Sequence, residues 1–197
     1  MVRPRIELLE QLGWNPPDWI ALPAGNLGNT AAFGKALSEA RALGLIDRLP
    51  RLAAIQAEGA APFARSFAEG FRSRYRVTAD TIATAIRIGD PASFERAVDA
   101  IRLSNGVVTT VSDAEILAAK RAIDGAGVGC EPASAAAVAG VRRLVREGAI
   151  GRTERAVAVL TGHLLKDPEI LLAGRGQGVG VEVDPTLEAV RAAVEAF

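Results

Sequence analysis

Trp19-Ile20-Ala21-Leu22 is an apolar run that leads through Pro23 and Ala24 into the loop Gly25-Asn26-Leu27-Gly28-Asn29. An apolar run closed by proline predicts a buried strand, and the pattern from Ala31 to Leu43 predicts a helix ending at Gly44. The two glycines let the loop backbone bend so that several N–H groups point to one place. The loop therefore lies where a strand turns into a helix, a position typical of phosphate binding.

On pattern alone this glycine–asparagine loop has two equally good interpretations. The following helix would offer an anion its unsatisfied N-terminal N–H groups, and Asn26 and Asn29 would add uncharged donors. No Lys-Ser/Thr pair follows the second glycine, so the loop is not a nucleotide P-loop. The other interpretation is an ordinary strand-to-helix turn that needs glycine only for its geometry.

Short apolar runs alternate with helical patterns along the rest of the chain. This alternation predicts an α/β fold, an open parallel sheet flanked by helices, in a single domain over residues 1–197. Strands are expected near 18–23, 51–56, 106–111 and 155–160. Helix starts are expected at Asp90-Pro91, Ser112, Glu131-Pro132 and Asp184-Pro185. Residues 174–180 read as a glycine-rich loop.

Composition narrows the classes of function. Lys plus Arg and Asp plus Glu both number 23, and no basic run favours nucleic acid or an anionic membrane. No stretch reaches the roughly 18 apolar residues of a membrane span. The single cysteine, Cys130, excludes an internal disulfide and a metal site built on several thiolates, so no metal site is predicted. A reducing cytoplasm is the expected location.

Thr161 is the second candidate for chemistry, because Thr161-Gly162-His163 follows the predicted strand at Ala156 to Leu160. Ligands of parallel sheets bind beyond the carboxyl ends of the strands, so Thr161 and the Gly25 to Asn29 loop are expected at one edge. The threonine hydroxyl suits a polar ring atom of a ligand, although a turn or cap is the commoner role. His163 has no carboxylate or nucleophile at a suitable spacing.

Cys130 and the three lysines have simpler interpretations. Cys130 lies among small residues and is expected to be a packed thiol. Lys35, Lys120 and Lys166 are expected to be surface charges rather than catalytic amines.

Taken together, several stretches resemble the threonine synthases, which are enzymes built on pyridoxal phosphate. The stretches are Leu12-Gly13-Trp14 with Pro17-Asp18-Trp19, Pro23 to Asn29, Ala85 to Pro91, Glu131 to Ala136, and Leu160 to His163 with Leu165 to Pro168. They occur in the family's order and cover nearly the whole chain. The resemblance implies that the fold is the C-terminal part of the large domain of a fold type II pyridoxal-phosphate enzyme.

The resemblance also implies roles for individual residues. Gly25, Asn26, Leu27, Gly28 and Asn29 match the loop that holds the cofactor phosphate, and Thr161 matches the hydroxyl that faces the pyridine nitrogen. Residues expected in the site wall are Ile88, Gly89, Asp90, Glu131 and Ser134. Leu164 stands where the family usually has glycine.

The lysine that forms the family's Schiff base with the cofactor has no counterpart here. In the family it lies far upstream of the phosphate loop, and the residues before Gly25 contain no lysine. No catalytic residue is therefore predicted in this chain. The resemblance implies a C-terminal half, without the N-terminal half and the small domain, whose partner is a complementary N-terminal half or a second copy in a homodimer.

Three functions remain open from the sequence. The resemblance implies conversion of O-phosphohomoserine and water to threonine and phosphate, with this chain supplying cofactor contacts. A non-catalytic phosphate-binding or interaction remnant is the second alternative. The third is part of a related amino-acid ammonia-lyase.

Overall fold

The computed structural model describes residues 3–173 and 183–196, and within them it contains a four-stranded sheet. The strands are β1 (Trp19–Pro23), β2 (Arg51–Ala57), β3 (Val107–Val111) and β4 (Ala156–Ala158). They lie in the order β3-β2-β1-β4, and every pair is parallel. The predicted α/β fold with an open parallel sheet flanked by helices is confirmed.

Helices cover both faces of this sheet. They are α1 (Arg3–Gln11), α2 (Gly28–Ala42), α3 (Pro62–Ala68), α4 (Phe94–Leu103), α5 (Asp113–Gly125), α6 (Pro132–Arg146), α7 (Pro168–Ala173) and α8 (Leu187–Glu195). Alternate residues of a strand point to opposite faces. Ile20 and Leu22 of β1 accordingly pack with α1 to α4, whereas Trp19 and Ala21 pack with α5 and α6.

Strand position in the sheet decides strand burial. Every residue of β1 is buried, because β1 is central and has helices on both faces. β4 is only half-buried, since it lies at the edge of the sheet and pairs with β1 alone. The expected strand at 155–160 is thus shorter than predicted, although the N–H of Val159 still donates to Ala21 O.

Two of the four helix starts predicted from capping residues were wrong, and α2 begins at Gly28 rather than at the predicted Ala31. Helix α4 begins at Phe94 with Ser93 as N-cap, because the Asp90 carboxylate is bound instead by Arg74 Nη2 at 2.6 Å and Arg76 Nε at 2.9 Å. Helix α8 is capped by Thr186, whose side chain accepts the N–H of Ala189, and not by Asp184. The starts at Ser112 and at Glu131-Pro132 are confirmed. The predicted glycine-rich loop at 174–180 lies outside the described residues.

None of the helices in residues 3–173 and 183–196 is long and apolar enough to cross a membrane.

Glu115 joins α5 to α6 through a compact charge network. Its carboxylate accepts from the Ser112 N–H at 3.0 Å, Arg143 Nη2 at 2.7 Å and Arg146 Nη2 at 3.1 Å. Partial burial opposes ionisation, but these donors outweigh it and lower the pKa of Glu115 to about 2. The ionised carboxylate therefore stabilises the fold at neutral pH.

We expect Glu115→Gln to lower the free energy of unfolding at pH 7 by about 1 kcal/mol, a value reduced from that of a buried charged hydrogen bond by partial exposure. Because the folded-state pKa lies below the unfolded one, this stabilisation is present above about pH 4.5 and is lost as pH falls towards 2. Urea unfolding of both proteins across this range measures it. Glu188→Gln, at the corresponding first turn of α8, is the control. A difference between Glu115→Gln and the parent that persists undiminished at low pH would contradict the assignment.

Candidate functional site

A cavity of about 600 Å³ opens at the carboxyl ends of β1 and β4. The Gly25 to Asn29 loop forms one side of it, and Thr161 and Lys166 form another. The rest of the lining comes from Pro23, Ala32, Ala85, Ile86, Glu131 and Ala133. The prediction that Thr161 and the glycine–asparagine loop lie at one edge of the sheet is therefore confirmed.

The loop meets the cavity as the N-terminus of a long helix. Leu27 is the N-cap of the 15-residue α2 and has a left-handed backbone with φ of 62°. Its side chain carries no acceptor, so it does not cap the first turn. The first turn of α2 has no side-chain cap, so its N–H groups and the positive end of its dipole suit an anion such as a phosphate ester.

Close packing behind the loop explains the first glycine. A Cβ atom at Gly25 would lie 2.7 Å from Ile86 Cα and 3.0 Å from Ala85 O. Asn26 fixes the loop from the other side, because its Oδ1 accepts the N–H of Ala92 at 2.7 Å. The loop is therefore held between the turn at Thr84–Ile86 and the segment before α4.

Gln56, at the end of β2, also supports the loop, and the sequence analysis missed it. Its Nε2 donates to Ala24 O at 3.0 Å, and its Oε1 accepts from the N–H groups of Phe63 and Ala64. The side chain is fully buried. A polar residue within the otherwise apolar run from Leu52 to Ala57 was the available signal.

Ser134 holds Thr161 on the opposite side of the cavity. Ser134 Oγ accepts the N–H of Thr161 at 2.8 Å and the N–H of Gly162 at 2.9 Å. It also lies 3.1 Å from Thr161 Oγ1. Ser134 is completely buried behind Thr161 in the first turn of α6, so it supports the site wall without lining the cavity.

Glu131 and Lys166 form an ion pair beside Thr161. Lys166 Nζ lies 2.9 Å from Glu131 Oε2, and the carboxylate side chain is only 2% exposed. A Cβ atom at Gly162 would lie 2.1 Å from Glu131 Oε1, so only glycine leaves room for this carboxylate. Lys166 is exposed at the surface, as predicted, and it also lines the cavity, where its ammonium pairs with the buried carboxylate.

The expected wall residues Ile88, Gly89 and Asp90 are placed less centrally. The Ile88 side chain lies behind Gly25, where it would be 3.2 Å from an added Cβ. Gly89 pairs with Val77, whose N–H donates to Gly89 O at 3.0 Å. Asp90 is bound by two arginines at the surface. Among the described residues, these three do not line the cavity.

Two short turns are tied together near the cavity. Thr84 Oγ1 donates to Asp167 Oδ1 at 2.9 Å and so joins the turn at Thr84–Ile86 to the turn at Leu164–Lys166. The first turn contacts Gly25, and the second carries Lys166. The loop side and the Thr161 side of the cavity are therefore mechanically connected.

Leu164, which stands where the resemblance implies glycine, packs against Gly129. A Cβ atom at Gly129 would lie 2.4 Å from Leu164 Cδ2, and Gly129 itself has φ of 67°. The larger side chain at 164 thus packs over a glycine at 129.

The remaining candidates have structural roles in the described part of the chain. Cys130 is buried as predicted, and burial raises the pKa of its thiol. Lys120 was expected at the surface but is buried, since its ammonium donates to Asp124 and to Cys130 O. Lys35 is exposed and paired with Glu39. His163 Nδ1 accepts the N–H of Leu165. No group of metal-binding side chains occurs in residues 3–173 and 183–196.

The fold and the cavity define a class of enzyme. Residues 5–162 match the family model described as pyridoxal-phosphate dependent enzyme, and the chain belongs to this family. Its members depend on pyridoxal phosphate, whose phosphate group suits the donor set at the N-terminus of α2.

The curated relatives that this chain matches include threonine synthases. The chain is 43% identical over 190 residues to the threonine synthase of Methanosarcina acetivorans, which covers 95% of this chain and 46% of that protein. It is 41% identical to the threonine synthase of Methanocaldococcus jannaschii, over 90% of this chain and 44% of that one. The chain therefore spans about half the length of the curated relatives it matches.

Solved structures share the fold at lower identity. The threonine synthase of Escherichia coli matches with a TM-score of 0.63 and 22% identity, over 89% of this chain and 38% of that chain. A fungal L-serine ammonia-lyase from Rhizomucor miehei matches with a TM-score of 0.66 and 23% identity, over 85% and 53% of the two chains. These likenesses establish the fold and do not separate the two activities.

Proposed function

We propose that this chain supplies the cofactor-binding half of a threonine synthase. The observation that carries the proposal is the single cavity that brings together the Gly25 to Asn29 loop and Thr161. The roughly 40% identity to threonine synthases favours this reaction over that of an ammonia-lyase. The substrate would be O-phosphohomoserine, converted with water to threonine and phosphate.

Each side of the cavity has a defined task in this proposal. The loop and the first turn of α2 bind the cofactor phosphate, with Asn26 and Asn29 in the loop. The Thr161 hydroxyl faces the pyridine nitrogen. When bound, pyridoxal phosphate withdraws electrons from the amino-acid substrate, so that phosphate can leave and water can add. Glu131, backed by Ser134, forms the wall beside the ring.

The amine that the cofactor requires comes from outside this sequence in our proposal. Lys120 is buried against Asp124, and Lys35 is exposed on α2. Lys166 is near the ring-nitrogen side, where Glu131 holds its ammonium. The chain would accordingly be one portion of a large domain, completed by a complementary N-terminal half that brings the lysine and the small domain. A cytoplasmic location is part of the proposal.

Binding of pyridoxine 5′-phosphate tests the phosphate site directly, because this analogue lacks the aldehyde and cannot react with any lysine. We expect ³¹P NMR to show weak binding to the chain. Gly25→Ala should weaken it tenfold or more, since its methyl group displaces the loop from an anion held by hydrogen bonds worth about 1.5–3 kcal/mol each.

Thr161→Val is the matched control, because it changes the ring side of the same cavity and should leave the phosphate signal in place. Circular dichroism checks that both variants remain folded. Unchanged affinity in a folded Gly25→Ala protein would refute the assigned phosphate site.

A further inference from the structure

Ser134 Oγ has more hydrogen-bonding neighbours than a residue that only packs in the cavity wall requires. Two N–H groups, those of Thr161 and Gly162, point at it from 2.8 and 2.9 Å. Two further oxygens lie within reach, Thr161 Oγ1 at 3.1 Å and Glu131 Oε1 at 3.5 Å. The residue is fully buried, so water does not compete for these positions.

The capacity of a hydroxyl group fixes the direction of these bonds. A serine oxygen accepts two hydrogen bonds and donates one. Because the two N–H groups occupy both acceptor positions, Ser134 cannot accept from Thr161. Its own proton must point to Thr161 Oγ1 or to Glu131 Oε1, and Thr161 Oγ1 is the nearer by 0.4 Å. The Thr161 hydroxyl therefore has to donate away from Ser134.

Only two directions remain for the Thr161 proton, the cavity and Glu131. Glu131 Oε1 lies 3.4 Å from Thr161 Oγ1, a long distance for a hydrogen bond between oxygens. The other carboxylate oxygen lies 2.9 Å from Lys166 Nζ, and the nearby ammonium partly neutralises the carboxylate charge that would attract the Thr161 proton. An acceptor that enters the cavity would then attract the Thr161 proton.

We propose that Ser134 and Lys166 are positioning residues that make the Thr161 hydroxyl a donor into the cavity, selecting an aromatic nitrogen with a free lone pair. The inference rests on the proposed function, which places the cofactor ring nitrogen at Thr161. Ser134 blocks the inward direction, and Lys166 neutralises the carboxylate that would otherwise take the proton. The ring nitrogen is held unprotonated as a result.

Removal of either residue would allow the hydrogen bond between Thr161 Oγ1 and the ring nitrogen to reverse its direction. Without Lys166, the full charge of the buried Glu131 would turn the Thr161 proton towards Oε1. Thr161 Oγ1 would then accept from a protonated ring nitrogen. Without Ser134, an acceptor position on Thr161 Oγ1 is freed, which favours the same reversal.

Nitrogen-15 NMR of ring-labelled pyridoxine 5′-phosphate, titrated to saturation, tests this inference without any measurement of activity. In the parent protein we expect the bound ring signal at the position of an unprotonated, hydrogen-bonded nitrogen. Lys166→Met should move it towards the pyridinium position, and Ser134→Ala should move it in the same direction. Ser134→Thr keeps the hydroxyl and should keep the parent signal.

Two features keep the test decisive. Lys166 has a side chain that is 55% exposed, so Lys166→Met should fold even if Ser134→Ala does not. Lys35→Met, at an exposed position of α2, is the matched control and should leave the ring signal unchanged. The ³¹P signal of the same ligand reports the phosphate site separately. If Lys166→Met binds the phosphate normally and gives the same ring signal as the parent, this inference is wrong but the proposed function stands. Absence of any ³¹P change in the parent would overturn both it and the proposed function.

Discussion

Threonine formation from O-phosphohomoserine is expected to appear when this chain is mixed with the part of the Methanosarcina acetivorans threonine synthase that the chain does not match. The matched region is 46% of that protein, and the unmatched part would be expressed as a separate polypeptide. Alone, this chain should form no specific covalent adduct with pyridoxal phosphate, because its lysines are engaged or lie away from the required position. Absorbance titration and borohydride trapping with peptide mapping measure both states.

Variants of the mixed complex separate the two sides of the cavity. Thr161→Val should lower turnover by about tenfold while it spares cofactor binding, since one hydrogen bond of roughly 1–1.5 kcal/mol to the ring is lost. Specific trapping on Lys35, Lys120 or Lys166 in the isolated chain would refute the half-enzyme proposal. If activity appears with neither this partner nor the N-terminal part of another threonine synthase, the chain is better described as a non-catalytic remnant.

Gly34→Ala is expected to destabilise the fold by about 2 kcal/mol. Gly34 lies where α2 packs on α4, and an added Cβ would be 2.3 Å from Ala100 Cβ and 2.9 Å from Ala100 Cα. The second contact is with backbone, so the two helices must separate. Overpacking of this kind typically costs about 1–3 kcal/mol or more, which exceeds the roughly 1 kcal/mol that alanine gains over glycine in a helix. Urea unfolding at neutral pH measures the loss.

Gly125→Ala provides the matched control for this prediction. Gly125 is the last residue of α5, and an added Cβ would meet no atom within 4 Å. This change should leave stability unchanged or raise it by up to about 1 kcal/mol, through the smaller entropy of the unfolded chain. Equal effects of the two substitutions would show that helix propensity, and not the α2–α4 contact, controls stability at Gly34.

Local patterns were sufficient for the sheet but not for every helix boundary. The apolar runs at β1 and β2 predict central strands because burial on both faces requires such runs, and the shorter run at β3 forms a partly buried edge strand. The start of α4 was misplaced because Asp90 has the side chain of a cap, whereas its binding by Arg74 and Arg76 is a tertiary contact. Capping preference describes local competition only, and distant arginines decided the outcome.

The two sides of the candidate site differed in how far the sequence predicts them. The glycine–asparagine loop is contiguous, so its placement at a helix N-terminus follows from its own residues. The cluster around Thr161 combines residues 131, 134 and 166, and sequence distance conceals that arrangement. Lys166 is a surface charge as predicted, but its ion pair with Glu131 was not predicted, because nothing local in the sequence shows that buried carboxylate.

The pairing of β4 with β1 has a consequence for the order of folding. Asp18 and Arg155 meet across 137 positions of sequence, whereas β1, α2 and β2 are neighbours in the chain. Closing so long a segment is entropically costly and slow compared with local β–α–β assembly. The glycine–asparagine loop can therefore acquire its shape early, while Thr161 arrives with the last strand to join the sheet. Under the proposed function, a nascent chain on the ribosome would form its phosphate site before its ring site.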